Sequence, residues 1–288
     1  MADHFDKRAP ISKDGTAGTG AGISHLLGMG MGMGMAALGG PQSSSMPNHV
    51  VYGNDLLDQH EWRYTVFLVE FLMTTNWQAE IKVPQPNPDD SEETKSELKK
   101  LRDKQDHEGR AERYDEIVAE SDEYLGLFEN LCYFDAHSHP ALSDLVQTVD
   151  QIGWTVVQYY KEYYGRKRPS YLDPTIRPVI RVPTHPSYPS GHSTQSHLIK
   201  NVLLDVFDFR GKEFLDELQK VATRIAENRE WAGVHFESDT LAGENLASSI
   251  WSLAKRNPNY SRLLETAKAE AKRYADSGHT LLIHPTKK

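Results

Sequence analysis

Leu142, Leu145, Val146, Val149, Ile152, Val156, Val157 and Tyr160 recur at intervals of three and four residues. That spacing gathers the side chains on one face of a single α-helix. A run this long and this regular commits a helix to a core, and nowhere does the chain alternate apolar and polar residues over a useful strand length. Further helices are expected near 191–207, 212–231, 239–255 and 259–275. The fold class that follows is all-α, a single helical bundle of about eight helices.

The bundle is expected to occupy residues 51–288. Residues 1–50 read as a separate, flexible Gly/Met-rich arm, with a literal Gly-Met alternation from Gly28 to Met35. Such a stretch has little branched or aromatic surface to offset the entropy of ordering it. From Asp58 the pattern becomes helical, and Trp62, Val66, Phe67, Val69, Phe71 and Met73 read as a buried helix. Pro84, Pro86 and Pro88 break the chain, and Asp90 to Glu93 resembles a capping box opening a new helix. That helix, to about His107, interleaves Glu with Lys and is expected to protrude as a solvated element. An amphipathic pattern resumes from Gly109 to Leu131.

A formal net charge of −9 over 288 residues argues against general nucleic-acid binding, which wants a basic face. The single cysteine, Cys132, excludes an internal disulfide and a multi-cysteine metal site, and is expected to be a small buried residue. The most apolar run, Val66 to Met73, contains Glu70 and is too short for a bilayer span of roughly 20 residues. The amino-terminal segment mixes charges without a basic-then-apolar signal pattern. The expectation is a cytoplasmic protein with no membrane partner.

Against the overall negative charge, residues 161–200 hold seven lysines and arginines and two acids. A local cationic patch in an acidic chain points to a focused anion site. Three motifs fall in or just after it. Lys161 and Arg168, the latter before Pro169, bring an ammonium and a guanidinium to one place. Pro189-Ser190-Gly191-His192 lies where a loop enters a helix. There a serine cap, unpaired first-turn N–H groups and the helix dipole form an anion cradle, Gly191 admits close backbone approach, and His192 is placed to move a proton. Arg229, His235 and Asp239 make the third, with Gly233 breaking the helix so that His235 turns inward. Asp239 would fix the tautomer of His235 and leave its other nitrogen basic.

In this order the three motifs, Lys-x6-Arg-Pro, Pro-Ser-Gly-His and Arg-x5-His-x3-Asp, resemble the signature of the type 2 phosphatidic acid phosphatase and vanadium-dependent haloperoxidase superfamily. Asn228 departs from the small residue that often precedes the arginine, at a position expected to be peripheral. The resemblance implies that Lys161, Arg168, Ser190, Gly191 and Arg229 hold the oxyanion. It makes His235 the nucleophile or vanadate ligand, Asp239 its support, and His192 the acid–base group.

Two chemistries are implied. One is a haloperoxidase with vanadate as cofactor, oxidising bromide or iodide with hydrogen peroxide. The other is an acid-phosphatase-like phosphomonoesterase, without cofactor, working through a phosphohistidine. The string from His185 to His197 is similar to haloperoxidases, in whose bromide-oxidising members a histidine stands five residues before the motif serine, as His185 does. Trp231 to Asp239 is similar to the bacterial haloperoxidase branch, and a homodimer is expected by analogy with larger members. Asp135, His137 and His139 are expected to form a polar turn rather than a metal site, and Tyr163 or Tyr164 to line the pocket mouth.

Overall fold

The computed structural model describes residues 60–277, with side chains from Tyr64 onward; the Gly/Met-rich stretch lies outside them. Twelve helices follow one another: α1 His60–Thr74, α2 Trp77–Glu80, α3 Glu92–Asp106, α4 Gly109–Glu112, α5 Tyr114–Ala119, α6 Leu125–Cys132, α7 Pro140–Tyr164, α8 Pro169–Leu172, α9 Gly191–Val206, α10 Lys212–Trp231, α11 Glu237–Ala254 and α12 Pro258–Asp276. There is no strand among the described residues, and eight of the helices have seven residues or more.

The periodic segment forms α7, the axle of the bundle. Pro140 occupies its first turn, where the missing N–H costs nothing. Gly165 ends it in the left-handed region (φ 61°) and returns its N–H to the Lys161 carbonyl at 2.9 Å. Leu142, Leu145, Val146, Val149, Ile152, Val156 and Val157 are fully buried. They pack against α1, α9 and α12, while α9 also packs on α10 and α11. Cys132 is buried in the same core. No helix among the described residues is long and apolar enough to cross a membrane.

Two expectations are corrected. The block from Val66 to Met73 is amphipathic rather than wholly buried: Phe67 and Phe71 face the core, but Val69 and Met73 are 51 % and 79 % exposed. The charged helix α3 does not protrude, because Leu98 and Leu101 pack with Ile176 and Phe236. The amphipathic stretch from Gly109 falls into three short helices, α4, α5 and α6. The break has a cause: Arg229 takes the Ile117 carbonyl (2.9 Å) and the Ser121 hydroxyl (3.1 Å) at the end of α5. The Glu123 carboxylate then accepts from the Gly126 N–H at the start of α6.

The contact between α9 and α11 depends on Gly243. A Cβ there would lie 2.8 Å from the Ser190 carbonyl oxygen and 2.8 Å from Ser193 Cβ. Backbone cannot yield cheaply, so Gly243→Ala should force the helices apart at the start of α9 and cost about 1–3 kcal/mol. Thermal melting checks this; an unchanged midpoint would mean that the close approach is not needed.

Candidate active site

The three motifs meet at one cavity of about 490 Å³. Lys161, Arg168, His185, Gly191, His192, Arg229 and His235 all line it. Asp239 stands behind His235, and Ser190 is fully buried at the helix start, outside the lining.

Each side chain is brought there by its element. Lys161 lies in the last turn of α7, where the periodic face that builds the core carries its stem inward. It is buried, and its ammonium donates to the carbonyls of Pro186 (2.8 Å) and Ser187 (2.9 Å). Burial and the Arg168 charge push its pKa well below the usual lysine range. Arg168 caps α8 in extended conformation and is also buried. It donates to the Val234 carbonyl (2.8 Å) and the His185 carbonyl (3.1 Å), and burial lowers its pKa to about 10. Ser190 is the N-cap of α9, its hydroxyl accepting from the Ser193 N–H at 3.4 Å. The first-turn N–H groups of Gly191 and His192 have no partner within the helix.

His235 follows the turn at Gly233 (φ 79°). Its Nδ1 lies 3.0 Å from Asp239 Oδ2 and its Nε2 lies 2.9 Å from the Arg168 guanidinium. A carboxylate only accepts and a guanidinium only donates, so the proton sits on Nδ1 and the lone pair on Nε2. Burial and the cations Arg168 and Lys161 hold the ring neutral, its pKa well below 6.5. His192 Nε2 meets the Glu120 carbonyl at 2.9 Å, which fixes its proton on Nε2 and leaves Nδ1 basic. Burial, then the Arg229 charge, lower its pKa to about 3. His185 Nδ1 lies 3.1 Å from Arg168 and 3.2 Å from the Pro186 carbonyl. A guanidinium only donates and a carbonyl only accepts, so Nδ1 serves one of them at a time; in the tautomer that accepts from Arg168 the proton is on Nε2. Desolvation, with the Lys161 and Arg168 charges, depresses its pKa to about 4.

Three residues behind the cavity, Arg166, Glu97 and Glu120, were not singled out from sequence. Arg166, buried, donates to Asp239 Oδ1 (2.7 Å), the Ser238 hydroxyl (2.7 Å) and Glu97 Oε2 (2.9 Å). Its guanidinium also covers the Phe236 ring at 3.9 Å. Glu97 closes the loop by accepting from the Ser238 N–H at 2.7 Å. Arg166 and Arg168 stand two apart in one loop, so one grips Asp239 and the other His235. Their spacing was visible, but Glu97 is 69 residues from its partner and looks like any other charge on α3. On the far side, Glu120 pairs with Arg229 at 3.1 Å and Asn228 donates to the same carboxylate oxygen at 3.0 Å. Asn228 is fully buried and also accepts from Arg113, so it is no peripheral position.

Asp135 accepts from the N–H groups of His137 and Ser138, both at 2.8 Å, which closes a turn. No group of three metal-ligating side chains stands together among the described residues. Tyr164 donates to the Val83 carbonyl, and neither it nor Tyr163 lines the cavity; Tyr114 and Trp154 do.

The donor set fits a tetrahedral or trigonal-bipyramidal oxyanion. Lining cations are Lys161, Arg168, Arg181 and Arg229 against one lining carboxylate, Asp122. Arg229 Nε is buried with no hydrogen-bond partner. A Cβ on Gly191 would meet only Gln195 Oε1 at 3.7 Å and Val157 Cγ1 at 3.9 Å, so the fold itself does not demand glycine there. An anion seated on the helix start would.

No family model matches the chain. Part of it is 33 % identical to a vanadium-dependent bromoperoxidase of Ascophyllum nodosum, over 24 % of this chain and 17 % of that protein. The chain thus matches about a sixth of that relative's length. Among solved structures, the first transmembrane PAP2 type phosphatidylglycerolphosphate phosphatase from Bacillus subtilis aligns with a TM-score of 0.45 at 19 % identity, over 68 % of this chain and 95 % of that one.

Proposed function

We propose, from the premise that this chain belongs to the type 2 phosphatidic acid phosphatase and vanadium-dependent haloperoxidase superfamily, that it is a vanadate-dependent haloperoxidase oxidising bromide or iodide with hydrogen peroxide. The observation that carries the reading is His185, held by Arg168 at the open side of the cavity that His235 and the cations close. A neutral imidazole beside the cations can donate one hydrogen bond to a halide.

Vanadate, when bound, supplies a centre that takes up hydrogen peroxide and passes oxygen to halide without changing its own oxidation state. The protein does the rest. His235 offers the Nε2 lone pair, and Asp239 keeps the opposite nitrogen protonated. Arg166 and Glu97 fix Asp239 from behind, so the pair cannot swing away. Lys161, Arg168 and Arg229 neutralise oxyanion charge in a site largely shielded from water, where fixed donors act without reorganising. The N–H groups at the start of α9 add to them. His192 accepts a proton at Nδ1 when anion charge offsets its cationic neighbours, and can return it. His185 holds halide through Nε2–H.

Bromination by phosphate-free protein with peroxide and bromide, before and after orthovanadate, tests the reading. Vanadate-dependent turnover competed by phosphate is expected. No bromination, with vanadate-inhibited hydrolysis of a chromogenic phosphomonoester, would replace it with the phosphatase. His185→Ala should lower bromide turnover about tenfold, the worth of one hydrogen bond, and leave orthovanadate affinity within about threefold. Equal loss of both would remove the halide role.

A further inference from the structure

The cavity changes character from floor to mouth. Trp154, Gln158 and Lys161 lie on one face of α7 at spacings of four and three, so this face runs from an aromatic ring at the surface to a buried ammonium. Trp154 is 42 % exposed. Tyr114 and Val118, one turn apart on α5 and 48 % and 42 % exposed, line the same cavity. Val179, Ile180 and Pro183 add further apolar lining. Three of the chain's exposed large apolar side chains thus share one opening. Neither an oxyanion nor a halide gains from an apolar rim. About 490 Å³ lies within the range of roughly 300–1,000 Å³ of cavities that enclose a small organic molecule.

We propose that this rim binds the ring of a phenol and holds it above the cationic floor as the acceptor of the oxidised halogen. Flat and branched apolar side chains in one lining suit a planar ring. Gln158, Ser121 and Asp122, also lining, offer polar partners for one hydroxyl. The excess of lining cations repels an amine and favours a phenol, whose ionised form is the more reactive toward electrophilic halogen. The transfer balances: bromide gives two electrons to hydrogen peroxide, whose O–O bond breaks with uptake of one proton, yielding hypobromous acid and water. The ring then forms C–Br, loses the proton from that carbon, and releases the second water.

The halogen-transfer part rests on the haloperoxidase reading; ring binding does not, so two arms separate them. In the first, 4-ethylphenol is titrated into phosphate-saturated protein by calorimetry. Saturable binding is expected, at least fivefold weaker in Trp154→Ala and in Tyr114→Leu, both surface positions chosen so that one survives if the other misfolds. In the second, vanadate-loaded protein receives peroxide, bromide, free 4-ethylphenol and the same phenol linked to dextran, which cannot enter. The ratio of free to linked bromination should exceed the ratio given by reagent hypobromite at least tenfold, and Trp154→Ala should return it toward that value. A wild-type ratio equal to that of the reagent would overturn delivery in the cavity. Absence of saturable binding would overturn the site itself. If vanadate yields no bromination, the haloperoxidase reading and the transfer fall together, and binding alone decides the rim.

Discussion

Asp239→Asn should slow turnover by about 10³–10⁴-fold, the scale seen when the carboxylate behind a catalytic histidine becomes an amide. Asp239 Oδ2 accepts from His235 Nδ1 and from the Phe236 N–H, both at 3.0 Å, while Oδ1 accepts from Arg166 at 2.7 Å. An amide has one accepting atom for these two sides. With its NH2 toward His235, the imidazole proton is driven to Nε2, where it meets the donor Arg168 and the lone pair is gone. With its NH2 toward Arg166, two donors face each other in a buried pair. Steady-state bromide turnover with saturating vanadate measures the loss, and circular dichroism checks that the helices persist. A rate within tenfold of wild type would show that His235 does not depend on Asp239 for its tautomer.

The helices that build the core were legible because their burial has a period. The ends of α9, α10, α11 and α12 fall within two residues of where the apolar pattern, Ser190 and Gly233 put them. The cavity side chains were legible for a different reason. An oxyanion demands cations and donors that are expensive to bury otherwise, and the three motifs concentrate them within 79 residues, from Lys161 to Asp239. What the sequence hid is the layer behind. Glu97 sits in a helix that looks solvated and Glu120 in an amphipathic stretch, and only the fold brings each against an arginine more than 60 residues away. The same limit explains the mouth: Tyr163 and Tyr164 adjoin Lys161 in sequence, yet α7 turns them away and presents Trp154, seven residues earlier.

Anion binding should strengthen as pH falls. His185 and His192 have pKa values of about 4 and about 3, against about 6.5 in an unfolded chain. Between those limits the unfolded chain binds more protons than the folded one. The stability these two groups contribute is therefore complete above about pH 6.5 and is lost as pH falls toward 4 and 3. A bound dianion offsets most of the cationic charge they face and raises both values, so the complex takes up protons that the free protein refuses. Each proton taken up steepens the affinity by about tenfold per pH unit, since one unit of pKa is about 1.4 kcal/mol. Sulfate is the probe of choice because it stays dianionic throughout. Its affinity by calorimetry should rise at least about tenfold from pH 7 to pH 5, with protons drawn from the buffer. His192→Gln should flatten the slope. An affinity that is level or falls toward pH 5 would mean that the anion does not sit against these histidines, and the cationic floor would then need another ligand.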